Sequence, residues 1–196
     1  MLLLVEGMDG VGKTTIAKEL SKHLGIEYYG KGLQDLFFVG KEDFDIQFMN
    51  VVNKIYYKDD LFINAWLTGL GDIYALRKNF CRDVIIDRGV LSNYVWNYNE
   101  KTKPIFYALL SFIHEVNIMA IIMKASTVTR VCRIKKRSEE DFDLTDQRIY
   151  QDDYQKFREA ASFFDMRHVI IDTENKSIDE VTHEVIAYLK KENQVI

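Results

Sequence analysis

Proline is almost missing from this sequence and cysteine is scarce. The one proline, Pro104, sits where a helix could begin. No Pro/Gly-rich stretch, repeat or low-complexity tract offers a linker at which the 196 residues would divide. One domain spanning 1–196 is therefore expected, since 47% hydrophobic content supports one sizeable α/β core and the length is short for two. The two cysteines, Cys81 and Cys132, form neither a metal-binding spacing nor a paired framework. That argues against a disulfide scaffold and a structural zinc, and it suits a reducing compartment. No apolar run reaches the length of a membrane span, and the opening run is too short for a secretory leader. A cytoplasmic location without a membrane partner is expected. Excess positive charge is lacking too. At a net charge of −4, a nucleic-acid polymer is not the expected partner, and any phosphate must be met by local positive charge.

Against these absences stands one dense motif. Gly7-Met8-Asp9-Gly10-Val11-Gly12-Lys13-Thr14 follows directly on Leu2-Leu3-Leu4-Val5, and it fits the phosphate-loop pattern of two glycines four residues apart, then Lys and Ser or Thr. Glycines let the backbone curl so that successive N–H groups point at anionic oxygens, and the helix that follows adds its positive end. Lys13 supplies a mobile cation for the β- and γ-phosphates, and the Thr14 hydroxyl is placed to hold Mg²⁺. The context agrees, with a strand signal before the loop and Ile16, Ala17, Leu20 and Leu24 at helical spacing after it, closed by Gly25.

Further strands are expected at 26–29, 83–87, 118–123 and 168–172, several of them continuously apolar, as strands buried on both faces are. Helical patterns lie at 45–57, 61–80, 91–98, 105–115, 127–136, 145–164 and 178–191, the last opened by Ser177 and Glu180 in capping-box spacing. Alternating strands and helices predict a three-layer α/β/α fold, a doubly wound parallel sheet of about five strands with ligands at the strands' carboxyl ends.

Asp87 ends the run Val84-Ile85-Ile86 at that edge, where a carboxylate could direct Mg²⁺ through water. Arg88 follows and could grip a second phosphate bidentately, or instead pair at the surface with Asp83 or Glu100. Arg130, Arg133 and Arg137 share one helix face by their i, i+3, i+7 spacing, and acidic 139–143 follows. A solvated charged helix reads that way. So does a closing lid over about 133–145, which would neutralise a transferring phosphoryl group and exclude water.

These residues resemble the thymidylate kinase and deoxynucleoside kinase branch of P-loop phosphotransferases. Residues 5–15, with the acid Asp9 inside the loop, look like the thymidylate kinase opening. Asp87-Arg88 with Ser92 resembles an Asp-Arg-x-x-x-Ser element, and 133–137, Tyr154 and Ile170-Ile171-Asp172 are similar to the family's lid, following helix and last strand. The resemblance implies ATP and Mg²⁺ as cofactors. ATP would rest on Gly7, Met8, Asp9, Gly10, Val11, Gly12, Lys13, Thr14 and Thr15, with Thr173 in the turn against adenine and Thr14 and Asp87 at the metal. Lys13, Arg88, Arg133, Arg137 and Asp9 would carry catalysis. Arg88, Ser92, Asn93 and Trp66 would meet a small nucleotide or nucleoside acceptor, and Phe37, Phe38, Phe48, Tyr56, Tyr57, Tyr94 and Trp96 are further rings on that side. The sequence departs from thymidylate kinases after the second strand, where Tyr28-Tyr29-Gly30-Lys31 replaces Glu-Pro-Gly, and at Ala65-Trp66-Leu67, where an Arg is usual. Lys31 or Arg77 could substitute. A nucleoside acceptor would need a base, for which Glu27 and Asp35 are candidates. Phosphorylation of a (deoxy)nucleoside monophosphate, dTMP to dTDP in the manner of thymidylate kinase, is the leading expectation. Phosphorylation of a 5′-hydroxyl is the alternative, and a nucleotide-operated switch a third. A homodimer is expected through 61–76 and 105–113, which carry more apolar surface than one sheet face needs.

Overall fold

The apolar runs pair side by side into one parallel sheet. The computed structural model describes residues 1–30, 32–38, 40–56, 60–114, 116–138, 144, 150 and 154–192. Strand β1 (Leu2–Gly7) is buried along its whole length and lies at the centre, between β3 (Val84–Asp87) and β4 (Ile118–Lys124), with β2 (Glu27–Tyr29) and β5 (Arg167–Asp172) at the edges in the order β2-β3-β1-β4-β5. Every pairing is parallel, and the register sets Val5 beside Asp87 and Gly7 beside Met123. The phosphate loop and Asp87 are thereby delivered to the same carboxyl edge, at the point where the strand order reverses. This is an α/β P-loop fold, as the alternation predicted.

Helices cover both faces. Helix α1 (Lys13–Leu24) runs between Gly12 and Gly25, both in the left-handed region, and packs with α9 (Ile178–Lys191). On the other side α4 (Leu61–Lys78), α5 (Val90–Asn97), α6 (Lys103–Ile113) and α8 (Tyr154–Phe163) pack against one another. Pro104 occupies the first turn of α6, where its missing N–H costs nothing. Asp60 caps α4, Ser126 caps α7 (Thr127–Arg137), and Ser177 with Glu180 forms the expected capping box on α9.

Two helices precede α4. Helix α3 (Glu42–Tyr56) matches the expected 45–57 pattern apart from its start, and Tyr57 lies outside the described residues. Helix α2 (Gly32–Phe37) has no counterpart in the pattern reading, because six residues are too few to display a period. Tertiary contact holds it instead. A Cβ on Gly32 would fall 2.3 Å from the Gly71 carbonyl of α4, so the two backbones meet at a crossing only glycine permits. Of the expected 145–164 helix, 145–149 and 151–153 lie outside the described residues, as do 139–143 and 145 of the lid stretch. Three of the rings proposed for an acceptor pocket, Phe37, Phe48 and Tyr94, pack on other rings here. Tyr94 stacks on Tyr98 at 4.2 Å and meets Phe106, Phe163 and Phe164, while Phe37 stacks on Phe48 at 4.5 Å. No helix of the described residues is long and apolar enough to cross a membrane.

Candidate functional site

The loop's glycines are required by position. Gly7 has φ 138°, and a Cβ there would lie 2.4 Å from the Met123 carbonyl of β4; Gly10 has φ 83°, and its Cβ would lie 2.6 Å from the Arg130 carbonyl of α7. The loop is therefore pressed between β4 and α7 with its amides free to face a ligand.

Lys13 is buried and bends back across the loop, where Nζ donates to the carbonyls of Gly7 and Met8 at 2.8 Å each and lies 3.5 Å from Asp9 Oδ1. Burial, with Arg88 nearby, pulls its ammonium down to about 8, although Asp9, Asp87 and Glu6 favour the charge. Burial opposes the charge on Asp9 as well, but Lys13 and Arg88 outweigh it and hold the carboxyl at about 2. The Arg88 guanidinium is ion-paired to Asp9. It pairs with neither Asp83 nor Glu100, the surface partners considered from sequence. Its backbone sits at φ 69°, a strained region for a long side chain, immediately after β3.

Asp87 faces α1 and β2. Its Oδ2 accepts hydrogen bonds from Thr14 Oγ1 at 2.5 Å and from the Tyr28 hydroxyl at 3.1 Å. Its Oδ1 is buried with no hydrogen-bond partner among the described residues. A buried carboxylate oxygen without a partner, beside a hydroxyl and the loop's amides, suits a hard cation with oxygen ligands, so the residues present fit Mg²⁺.

Opposite the loop, Arg133 donates to the Thr173 hydroxyl at 2.9 Å, the Thr173 carbonyl at 2.7 Å and the Val11 carbonyl at 3.2 Å. The three arginines of α7 do not act alike. Arg133 and Arg137 line the cleft, whereas Arg130 is wholly buried behind Gly10. The root of α7 is fastened by Glu174, which accepts from the Ser126 amide at 2.8 Å, from the Ser126 hydroxyl at 3.0 Å and from the Thr129 hydroxyl. The result is a cleft of about 740 Å³ bounded by the loop, Arg88, α7, Thr173 and the start of α9.

Of the residues singled out from sequence, Asp9, Gly10, Val11, Gly12, Lys13, Thr14, Thr15, Arg88, Arg133, Arg137 and Thr173 converge on this cleft. Gly7 and the buried Met8 form its floor from behind. Asp87 joins through Thr14. Ser92, Asn93 and Trp66 stand apart from it. The Ser92 hydroxyl donates to Glu6 at 2.5 Å, Asn93 is buried with its amide on the Ala65 carbonyl at 3.1 Å and on Asp72 at 3.3 Å, and Trp66 lies on the outer face of α4. Arg77 is exposed near the end of α4, and Lys31 lies outside the described residues.

Two residues near the site carried no role in the sequence reading. Glu6, at the end of β1, is fully buried and accepts from the Gly89 amide at 2.9 Å and the Ser92 amide at 3.4 Å as well as the Ser92 hydroxyl. It caps α5 from a different element, where Gly89 has no side chain to do so. Burial raises its carboxyl to about 7 against the opposing hydrogen bond from Ser92. Half-buried Asp72 is raised to about 8 by desolvation and by Glu6 itself. A carboxylate inside an otherwise apolar strand was the available signal. Tyr28, the second, carried none, since a tyrosine in a strand is ordinary.

Comparison with known proteins follows the same lines. A family model described as AAA domain matches residues 3–154. A search among curated proteins returned no match. Among solved structures, the YorR protein of Bacillus subtilis in complex with phosphorylated GDP superposes with a TM-score of 0.60 at 21% identity, covering 100% of this chain and 99% of that one. The deoxyadenosine kinase of M. mycoides with bound dATP gives 0.65 at 19% identity, covering 97% and 100%. Shikimate kinase from Bacteroides thetaiotaomicron gives 0.60 at 15% identity, covering 97% and 98%. At these identities the likeness is one of fold.

Proposed function

Because the chain belongs to the AAA domain family, we propose that its P-loop serves ATP-dependent phosphoryl transfer to a (deoxy)nucleoside monophosphate, as thymidylate kinases convert dTMP to dTDP. The observation that carries this reading is the convergence of Lys13, the Thr14–Asp87 pair and Arg88 at one sheet edge. ATP lies along the loop. Lys13 exchanges the Gly7 and Met8 carbonyls for the β- and γ-phosphates, and Arg133 and Arg137 face the transferring group from α7. Thr14 and Asp87 are the residues that would hold Mg²⁺, and the ion would supply positive charge against the phosphates. Arg88, released from Asp9, grips the acceptor phosphate. Catalysis is then positioning and charge neutralisation, as phosphoryl transfer requires.

The acids near β2 favour an acceptor that is already a phosphate. Glu27 pairs with Arg82 at 3.3 Å, and Asp35 with Lys78 at 2.7 Å and with the Tyr29 hydroxyl at 2.6 Å. Each is engaged, and a 5′-hydroxyl needs a carboxylate ready to take its proton. The deoxyadenosine kinase likeness over 97% of the chain supports the second reading, a nucleoside acceptor. Incubation with Mg²⁺, ATP and a panel of nucleosides and monophosphates, followed by mass spectrometry of the products, separates the two. A diphosphate product is expected. Product only from nucleosides would overturn the first reading, and ATP hydrolysis without any acceptor would replace both with a nucleotide switch.

The outer faces of α4 and α6 support a homodimer. Phe62, Ile63, Trp66 and Leu70 are each about 45% exposed at helical spacing, and Tyr107 and Phe112 are exposed on α6. A self-complementary apolar stripe of this kind fits two-fold pairing. Sedimentation at twice 23.0 kDa is expected, falling to one chain in Trp66→Glu. A wild-type monomer would rule this pairing out.

A further inference from the structure

Asp87 is held by one of its two oxygens only. Thr14 Oγ1 and the Tyr28 hydroxyl both donate to Oδ2, at 2.5 and 3.1 Å, while Oδ1 is buried with no partner among the described residues. Two donors from different elements on a single oxygen fix the carboxylate's rotation about its last bond, which a single donor would leave free to swing. The sheet register makes the second donor possible. Tyr28 pairs with Ile85 across the β2–β3 ladder, and Asp87, two residues further along β3, projects from the same face as Ile85. A phenol spans that diagonal; shorter side chains do not reach it. The ring is itself seated by α1, with Lys18 Nζ 5.5 Å from its centroid. Lys18 lies one helical turn after Thr14, so the α1 face that presents Thr14 to Asp87 also lies over the ring of Tyr28.

We propose that Tyr28 is a positioning residue of the cation site, using its hydroxyl to fasten Asp87 Oδ2 so that Oδ1 is aimed at the ion or at its bound water. The inference rests on the phosphoryl-transfer reading above only in taking Mg²⁺·ATP as the ligand of the loop. A hydroxyl that orients a ligand carboxylate without touching the metal acts through geometry, and losing such an outer partner commonly weakens metal binding tenfold or more.

Calorimetric titration of ATP at stepped Mg²⁺ concentrations tests this without reference to turnover. In Tyr28→Phe the Mg²⁺ midpoint for ATP binding is expected to rise about tenfold, with ATP affinity in excess chelator unchanged and the melting temperature retained. Tyr29→Phe is the control. It removes the neighbouring hydroxyl, which donates to Asp35 instead of Asp87, and should leave the midpoint where it is. If wild-type protein shows the Mg²⁺ dependence and Tyr28→Phe keeps the wild-type midpoint, the positioning role is overturned and the phosphoryl-transfer reading stands. Equal shifts in the two variants would also overturn it, since the effect would then be a general loosening of β2. If wild-type protein binds ATP with no Mg²⁺ dependence, Asp87 directs no cation and both readings fail together.

Discussion

Lys13→Ala is expected to lower kcat/KM for phosphoryl transfer by about a thousandfold or more, which corresponds to roughly 4 kcal/mol of lost transition-state stabilisation, while circular dichroism and thermal melting still report a folded protein. The effect should be large because in phosphoryl transfer the protein contributes mainly charge and position, and Lys13 is the loop's own cation. Its resting place explains why the fold should survive. The ammonium is buried against the Gly7 and Met8 carbonyls and beside Asp9, so its loss removes an expensive buried charge together with the contacts that offset it. Asp9 keeps Arg88 as a partner. That substitution has a second consequence. With Lys13 gone, Asp9 retains one cation in place of two, and its carboxyl, held at about 2 in the native protein, moves back towards its ordinary range. Turnover near the wild-type value in Lys13→Ala would remove the loop from the chemistry, because among the described residues the other lysine lining the cleft, Lys176, belongs to the wall that precedes α9 and not to the loop.

How much of this could be read beforehand follows from which interactions are local. The strand–loop–helix unit from Leu2 to Leu24 was legible because each part carries its own cause: apolar residues that must be buried, glycines at turns others cannot make, and an apolar stripe at helical spacing. The cap on α9 was legible for the same reason, being a contact between Ser177 and Glu180, three residues apart. Helix α2 was not, since what holds it is the Gly32–Gly71 crossing, invisible until α4 is placed. Spacing put Arg130, Arg133 and Arg137 on one face but could not say that Gly10 would press on the first of them and leave the others at the cleft. Ser92 and Asn93 read as polar residues close after Asp87. Their hydrogen bonds to Glu6, on β1, and to Ala65 and Asp72, on α4, are long-range and turn both inward. The phosphate loop is thus built from neighbours in sequence, whereas Asp87, Arg88, Arg133 and Thr173 reach it only through folding.

Glu6 supplies the second large effect, on stability in place of rate. Its carboxyl is raised from 4.5 to about 7, with burial as the main cause. The sign follows from proton binding. Between pH 4.5 and 7 the folded protein keeps a proton that the unfolded chain has released, so the contribution to stability is full below 4.5, declines as pH rises, and is lost once the folded carboxyl has ionised above 7. From pH 5 to pH 8 that single group costs on the order of 2 to 3 kcal/mol. Glu6→Gln removes the titration while keeping the volume, and its amide oxygen can still accept from the Gly89 amide. Urea denaturation at both pH values should therefore show wild-type protein losing on the order of 2 to 3 kcal/mol more than the variant over this interval. Asp72 reinforces the difference. Glu6 is one of the groups that raise Asp72 to about 8, so the Glu6→Gln substitution also weakens the pH dependence that Asp72 adds in the same direction. Parallel pH profiles in the two proteins would mean that Glu6 is ionised throughout, held as a full charge by the Gly89 and Ser92 donors it caps. The presence or absence of this difference thus decides whether β1 carries a carboxylic acid or a carboxylate at the root of the Asp87-Arg88 turn.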